Sequence, residues 1–303
     1  MQLGYDKALY ILPFDHRSSF TKGLFGWKGT LTADQVAKVA ASKQVIYEGF
    51  KAAIARDVPR EAGAILVDEQ FGAAILRDAA GAGTLTCAPV EKSGQPEFQF
   101  EYGERWREHI AAVDPGFVKV LVRYNPEGDA EANARQATRL RALSEYVHET
   151  SRRLLFELLV PMTPDQSDQL EGHQRLYDQD VRPGLMLTTI HELQDAGVEP
   201  DVWKVEGLGT RDQCASLVGV ARREGRDKVG CIVLGRGADE AGIVAWLETA
   251  AAVPGYIGFA VGRTTFWDAL VALRDGKINR EKAVEAIARR YVEWARIFQE
   301  ARR

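Results

Sequence analysis

Short aliphatic or β-branched runs recur along the chain, and each is followed by a longer segment in which apolar residues return every three or four positions. The runs are YILPFDHR from Tyr10, AGAILVDEQ from Ala62, TLTCAPVE from Thr84, VKVLVRYNP from Val118, LLFELLVP from Leu154, VWKVEGL from Val202, CIVLGRG from Cys231 and IGFAVGRT from Ile257. Runs of this length with few internal polar residues predict strands buried on both faces, and the period of about 3.6 between them predicts amphipathic helices. Between the first two runs, Thr32 and Gln35 have the spacing of a capping box, and Val36, Val39, Ile46, Phe50 and Ile54 supply an apolar face. Pro183 suits the first turn of a helix that carries Leu185, Ile190 and Leu193 and stops at Gly197. From Glu281 to Phe298, the positions of Val284, Ile287, Tyr291 and Trp294 predict an amphipathic helix that covers one end or flank.

Buried strands alternating with helices predict a parallel sheet covered on its outer face, and the count of eight runs selects a closed (β/α)8 TIM barrel of the α/β class, with an extra C-terminal helix. An open doubly wound sheet is the alternative. No Pro/Gly/Ser-rich linker or shift of composition divides the 303 residues, so 1–303 reads as one barrel domain. Hydrophobic residues at 46% and charged residues at 27% fit a chain able to bury a large core.

The net charge of -4, with Lys and Arg spread throughout, gives no footprint for a nucleic acid or an anionic membrane, so neither is expected as a partner. Cys87, Cys214 and Cys231 lie far apart without metal-ligand spacing and read as reduced thiols. The N-terminus lacks a basic segment followed by a long apolar stretch, and no apolar run approaches the ~20 residues needed to span a bilayer. A cytoplasmic protein is expected.

Barrel chemistry sits at the C-terminal ends of strands, and there the apolar runs are interrupted by Asp15, His16, Arg17, Asp68, Glu69, Lys119, Arg123, Asn125, Glu157, Lys204, Glu206, Arg236 and Arg263. Lys204 and Glu206 are two residues apart on a strand and should point the same way. A lysine attacks a carbonyl as the free amine, which desolvation or a neighbouring cation such as Lys119 favours. The resulting Schiff base is an electron sink for a carbanion, and Glu157 or Glu206 could shuttle protons. The same residues could instead form a buried ion pair or a polar layer. The seventh and eighth runs end in LGRG and VGRT, where Gly235 and Gly262 allow close backbone approach and Arg236 and Arg263 could pair with phosphate oxygens. Asp15 could orient Lys204 or handle a hydroxyl proton while His16 or Arg17 meets an anionic end, and the sequence does not divide these roles. His109, His148, His173 and His191 fall in helices or loops, so convergent metal ligands are lacking and no metal is expected. Dinucleotide, Walker and nucleophile-elbow motifs are absent, so no organic cofactor is expected either.

Taken in order, LPFDHRSSF, VDEQFG, VKVLVRYNP, FELLVP, DVWKVEGL and VGRTTFWDAL resemble the class I tagatose-bisphosphate aldolase family and its sulfofructose-phosphate aldolase relatives. The similarity spans about Leu12 to Leu270. It is nearest to the aldolase-like domain associated with 5-dehydro-2-deoxygluconokinase of inositol catabolism. The resemblance implies a Schiff base at Lys204, an active-site Lys119, an acid/base Glu157 and a phosphate contact at Arg263 and Gly262, with Asp68 and Arg123 as further substrate-binding candidates from the strand ends. That family usually has Asp-Gln-Arg where this chain has Asp15-His16-Arg17. The kinase-associated branch implies 2-deoxy-5-keto-gluconate 6-phosphate as substrate, cleaved to dihydroxyacetone phosphate and malonate semialdehyde. Two further readings are a sugar-phosphate-binding barrel acting as a sensor or scaffold, and a lyase or isomerase using carboxylates without a covalent intermediate. A homo-oligomer, with apolar residues of the last helix at its interface, is a prior drawn from such barrels.

Overall fold

The computed structural model describes residues 2–235 and 238–303. Eight parallel strands close into a barrel: β1 (Leu9–Pro13), β2 (Gly63–Leu66), β3 (Leu85–Pro89), β4 (Phe117–Arg123), β5 (Arg153–Leu159), β6 (Val202–Glu206), β7 (Gly230–Leu234) and β8 (Tyr256–Ala260), with β8 paired back to β1. Between β1 and β2 run α1 (Ser18–Phe25) and α2 (Ala33–Ile54), while α3 (Glu69–Gly81), α4 (Trp106–Val113) and α5 (Ala130–Glu149) follow β2, β3 and β4. After β5 come α6 (Pro164–Gln169), the single turn α7 (Gln174–Leu176) and α8 (Arg182–Asp195). Helices α9 (Arg211–Ala221), α10 (Glu240–Ala251) and α11 (Arg263–Arg274) follow the last three strands, and α12 (Arg280–Ala301) follows α11. This is the (β/α)8 TIM barrel with an added C-terminal helix, and the open sheet is excluded by the closure of β8 on β1.

Strand alternation sorts the core into two shells. One parity, including Tyr10, Leu12, Ile65, Val120, Phe156, Trp203 and Phe259, packs outward against the helices. The other fills the lumen with Leu9, Ile11, Leu66, Cys87, Phe117, Leu155, Val202 and Ile232, and Tyr5 packs edge-on against Phe117 beneath it. The lumen is therefore dry and packed at its lower and middle levels, which makes its upper rim the place where polar groups occur.

The capping box at Thr32 forms as expected, with Gln35 N–H donating to Thr32 Oγ1 and Thr32 N–H to Gln35 Oε1. Ahead of α8 the chain is already helical over residues 174–181, ending in a widened π-type turn. Pro183, with no N–H to donate, falls where that turn gives way to regular helix. Helix α12 lies on a flank against α2, α10 and α11. Its expected apolar stripe is turned into the protein: Ile287, Tyr291, Trp294 and Phe298 are fully buried, while Val284 is half-buried. A Cβ at Gly49 of α2 would come within 2.5 Å of Ile287 Cγ2, so glycine there sets the close α2–α12 approach. Trp294 Nε1 donates to Thr265 Oγ1 at 3.1 Å and the Tyr291 hydroxyl donates to the Tyr10 carbonyl, tying α12 to α11 and to β1.

No helix among the described residues is long and apolar enough to cross a membrane. The three cysteines are free and buried.

Candidate active site

The lumen parity that buries Phe117, Leu155 and Val202 continues two residues on to Lys119, Glu157 and Lys204, and from Ile11 and Cys87 it leads to Asp15 and Glu91. Five charged side chains thus arrive at one level above the packed layers. They line a cavity of about 330 Å³ at the C-terminal mouth of the barrel.

Lys119 sits at the centre. Its Nζ donates to Asp15 Oδ2 at 2.9 Å and Glu91 Oε1 at 2.7 Å, and lies 3.1 Å from Glu157 Oε2. Glu157 and Lys204 are paired in register on adjacent strands, and Lys204 Nζ donates to the same Glu157 Oε2 at 2.8 Å. The carboxylate partner of Lys204 therefore comes from β5 rather than from Glu206 on its own strand. Glu206 shares the parity of Lys204 but lies one step higher, where Arg182 of α8 pairs with it at 3.3 Å and the Val160 N–H donates to it.

Burial opposes ionisation of Asp15 and Glu157, but the positive charges of Lys119 and Lys204 outweigh it and hold both carboxyls below their ordinary values, Asp15 well below with His16 contributing. Burial likewise disfavours the Lys119 ammonium, yet Asp15, Glu157 and Glu91 together raise its pKa well above the ordinary lysine value. At Glu91 the balance reverses: burial raises its carboxyl despite Lys119 and Arg17. His16 is lowered to about 4, by burial first and then by Arg263, Lys43 and Lys204 against the pull of Asp15, so its ring is neutral near pH 7.

On the opposite side of the mouth, Gly235, Gly262, Arg263 and His16 line the same cavity. A Cβ at Gly262 would meet the Pro13 carbonyl at 2.5 Å, so only glycine lets the start of α11 approach β1 this closely. No side chain caps α11, whose Thr265 N–H donates back to the Gly262 carbonyl at 2.8 Å, and Arg263 and Thr264 of its first turn line the cavity. Arg17 donates to Glu101 at 2.8 Å and to the Glu91 carbonyl at 2.6 Å, and Arg123 lies at the rim, donating to the Gln95 carbonyl at 3.1 Å.

Of the residues expected from sequence, Asp15, His16, Arg17, Lys119, Arg123, Glu157, Lys204, Gly235, Gly262 and Arg263 share the cavity. Asp68 does not. It caps α3 through the Phe71 N–H and pairs with Lys43 in a closed, buried contact, because the chain turns into α3 directly after Val67. Arg236 lies outside the described residues. Two further contributors, Glu91 and Lys43, are not among the residues expected from the strand ends. Glu91 is the final residue of the third apolar run, on the parity of Cys87, and that placement was the available signal. Lys43 sits on the Val39, Ile46 and Phe50 face of α2 and donates to the carbonyls of Phe14 and His16 at 2.8 and 3.0 Å, which fixes the loop carrying Asp15 and His16.

Among solved structures, the fold is similar to Cgl0159 from Corynebacterium glutamicum (18% identity, TM-score 0.55, covering 96% of this chain and 87% of that one). It is similar also to an archaeal fructose 1,6-bisphosphate aldolase (15%, TM-score 0.55, 95% and 94%) and to a Schiff-base-forming fructose-1,6-bisphosphate aldolase (14%, TM-score 0.54, 94% of each). At these identities the likeness is one of fold. No curated protein shows a significant sequence match. Residues 4–302 match a single family throughout, and the chain belongs to that family, described as "Uncharacterized protein conserved in bacteria (DUF2090)".

Proposed function

We propose that this protein is a class I aldolase that cleaves a phosphorylated keto sugar or keto sugar acid through a Schiff base at Lys204. The observation that carries the proposal is the Lys204–Glu157–Lys119–Asp15 cluster at the mouth of the barrel, with Lys204 sharing one carboxylate oxygen with a second buried lysine. Such a site offers a nucleophilic amine, a carboxyl in direct contact with it and a fixed positive charge in a site shielded from solvent. Two of the similar folds are described as fructose 1,6-bisphosphate aldolases, one as Schiff-base-forming, which supports the reading.

The chemistry follows from the placement. Lys204 gives its ammonium proton to Glu157 and, as the free amine, adds to the substrate keto carbon. One proton of the adduct nitrogen passes to the former carbonyl oxygen, and Glu157 returns its proton so that this oxygen leaves as water, giving an iminium. Asp15 accepts the proton of the hydroxyl two carbons away, the carbon-carbon bond breaks toward the iminium, and the aldehyde departs. The enamine left on Lys204 takes on carbon the proton held by Asp15, and water then releases the ketone and restores Lys204 as the ammonium. Lys119 keeps Asp15 and Glu157 ionised between steps. Arg263, Gly262 and Gly235 with the leading N–H groups of α11 would hold the phosphate. The motif resemblance names the finer assignment: 2-deoxy-5-keto-gluconate 6-phosphate as substrate, with dihydroxyacetone phosphate and malonate semialdehyde as products.

An enamine on Lys204 exchanges carbon-bound hydrogen with solvent. Incubated with dihydroxyacetone phosphate in deuterium oxide, the wild type should incorporate one deuterium on the hydroxymethyl carbon, and Lys204→Ala none. Exchange that survives in Lys204→Ala would assign proton abstraction to the carboxylates alone, and no exchange in the folded wild type would favour a binding barrel.

A further inference from the structure

The charged side chains that line the cavity fall into two sets. Each acid there has a cation at contact distance: Asp15 and Glu91 have Lys119, Glu157 has Lys119 and Lys204, and Glu97 has Arg139 at 2.6 Å and Arg135 at 3.1 Å. Arg17 in turn is matched by Glu101. Lys92, Arg123 and Arg263 line the same cavity and form no ion pair among the described residues. These three cations stand at two opposed places. The barrel order puts β4 and β8 two strands to either side of β6, so Lys204 lies between Arg123, the last residue of β4, and Arg263, at the start of α11 after β8.

Lys92 belongs to a short hairpin after β3. Its N–H donates to the Gln99 carbonyl at 2.8 Å, and the Glu101 N–H donates to the Val90 carbonyl at 2.9 Å, so residues 93–98 form a turn that lines the cavity wall. The turn is pinned: Phe98 N–H donates to Gln136 Oε1 at 2.8 Å, and Arg123 Nη1 donates to the Gln95 carbonyl at 3.1 Å. That bond uses one N–H of the Arg123 guanidinium, and the others have no acceptor among the described residues. A ligand with a single anionic end needs one cationic pole. Here a second pole lies on the other side of the Schiff-base lysine, where the rest of the substrate extends once its phosphate occupies the Arg263 side.

We infer that Arg123, together with Lys92, binds a negatively charged group at the far end of the substrate, on the fragment released as aldehyde, and so selects an anionic aldehyde. The identity of that end rests on the Schiff-base reading, which puts the ketone at Lys204 and the phosphate at Arg263. A carboxylate and a phosphate share the chemistry that fits here: either accepts from the planar fork of the guanidinium and from the ammonium. No bond forms or breaks at Arg123. Its effect is on binding, as a difference in affinity between charged and neutral ends.

The test uses phosphorylated probes without a ketone, which form no Schiff base, and equilibrium binding to the whole chain by titration calorimetry. Gluconate 6-phosphate and glucitol 6-phosphate share the phosphate and carry at the far carbon a carboxylate or an alcohol. Wild type should bind the first at least about tenfold more tightly than the second. Arg123→Met should erase most of that preference by weakening gluconate 6-phosphate alone, Lys92→Met should reduce it roughly two- to threefold, and Arg263→Met should weaken both probes by a similar factor. Equal affinities in wild type, or a preference that survives Arg123→Met, would overturn the assignment. So would equal weakening of both probes in Arg123→Met, which would leave Arg123 as a support for the hairpin turn. Should Arg123→Met not fold, Arg123→Gln, which keeps a donor for the Gln95 carbonyl, takes its place. Glucitol 1,6-bisphosphate distinguishes the two anions: tighter binding than gluconate 6-phosphate, lost in Arg123→Met, would bear out the anion site and assign it to a phosphate. Wild type that forms no borohydride-trapped adduct with dihydroxyacetone phosphate would overturn the Schiff-base reading, whereas the preference among these probes reads the anion site by itself.

Discussion

Two buried lysine sites in this barrel differ in what surrounds them. Lys43 on α2 is enclosed: it donates to two backbone carbonyls, pairs with Asp68, and lies 5.5 and 5.4 Å from the ring centres of Phe20 and Phe71. Burial lowers its pKa and raises that of Asp68 against their mutual attraction. Lys119 and Lys204 are equally buried, but their partners are carboxylates that also line a cavity. The first arrangement has its hydrogen bonds committed to backbone and fixes a loop. The second leaves groups that can exchange protons with one another and meet a ligand. Burial and ion pairing by themselves do not separate a structural lysine from a reactive one; access and the identity of the acceptors do.

The comparison can be broken most severely at Lys204. Lys204→Ala should reduce cleavage by at least about 10³-fold while the melting temperature stays within a few degrees of wild type, because the nucleophile is lost and Glu157 retains Lys119. Lys43→Met should show the reverse pattern: about 3–5 kcal/mol of stability lost in denaturant titration, since Asp68 is left buried without its cation, with trapping at Lys204 retained in the folded fraction. Equal loss of trapping and stability in both variants would erase the distinction drawn between the two sites.

Smaller effects sharpen it. Tyr291→Phe removes the hydroxyl that donates to the Tyr10 carbonyl and should cost about 1 kcal/mol in the same titration. On acidification the buried carboxyls should divide into two groups. Asp15 and Glu157, held below their ordinary values, contribute stability that is present at neutral pH and lost as the pH falls through their lowered values, whereas the raised Asp68 and Glu91 bind protons more readily in the folded state and oppose that loss. Below the ordinary Asp value of 3.8, Asp15→Asn should therefore lose stability less steeply than wild type.

Much of this was legible in the chain. Each of the eight strands overlaps one of the eight apolar runs, five of them beginning one residue earlier, and the capping box at Thr32 forms. The lumen assignments of Lys119, Glu157 and Lys204 follow from strand parity alone. What parity does not give is height. Lys204 and Glu206 share a face, yet the step between them carries Glu206 to Arg182 of α8 and out of the cluster. Asp68 looked like another strand-end acid, but a helix begins immediately after it and its side chain became the cap. Lys43 was hidden because a charge in an apolar helix stripe ordinarily marks the edge of that stripe, and only the packing of α2 beneath the β1–α1 loop reveals what it meets.

The central claim concerns one nitrogen atom. Wild type and Lys204→Ala would be incubated with dihydroxyacetone phosphate and borohydride, weighed intact and mapped by peptide. A single reduced adduct on the peptide carrying Lys204, absent from the variant, is the predicted result. An adduct mapped to Lys119, or no adduct in a folded wild type, would contradict the account.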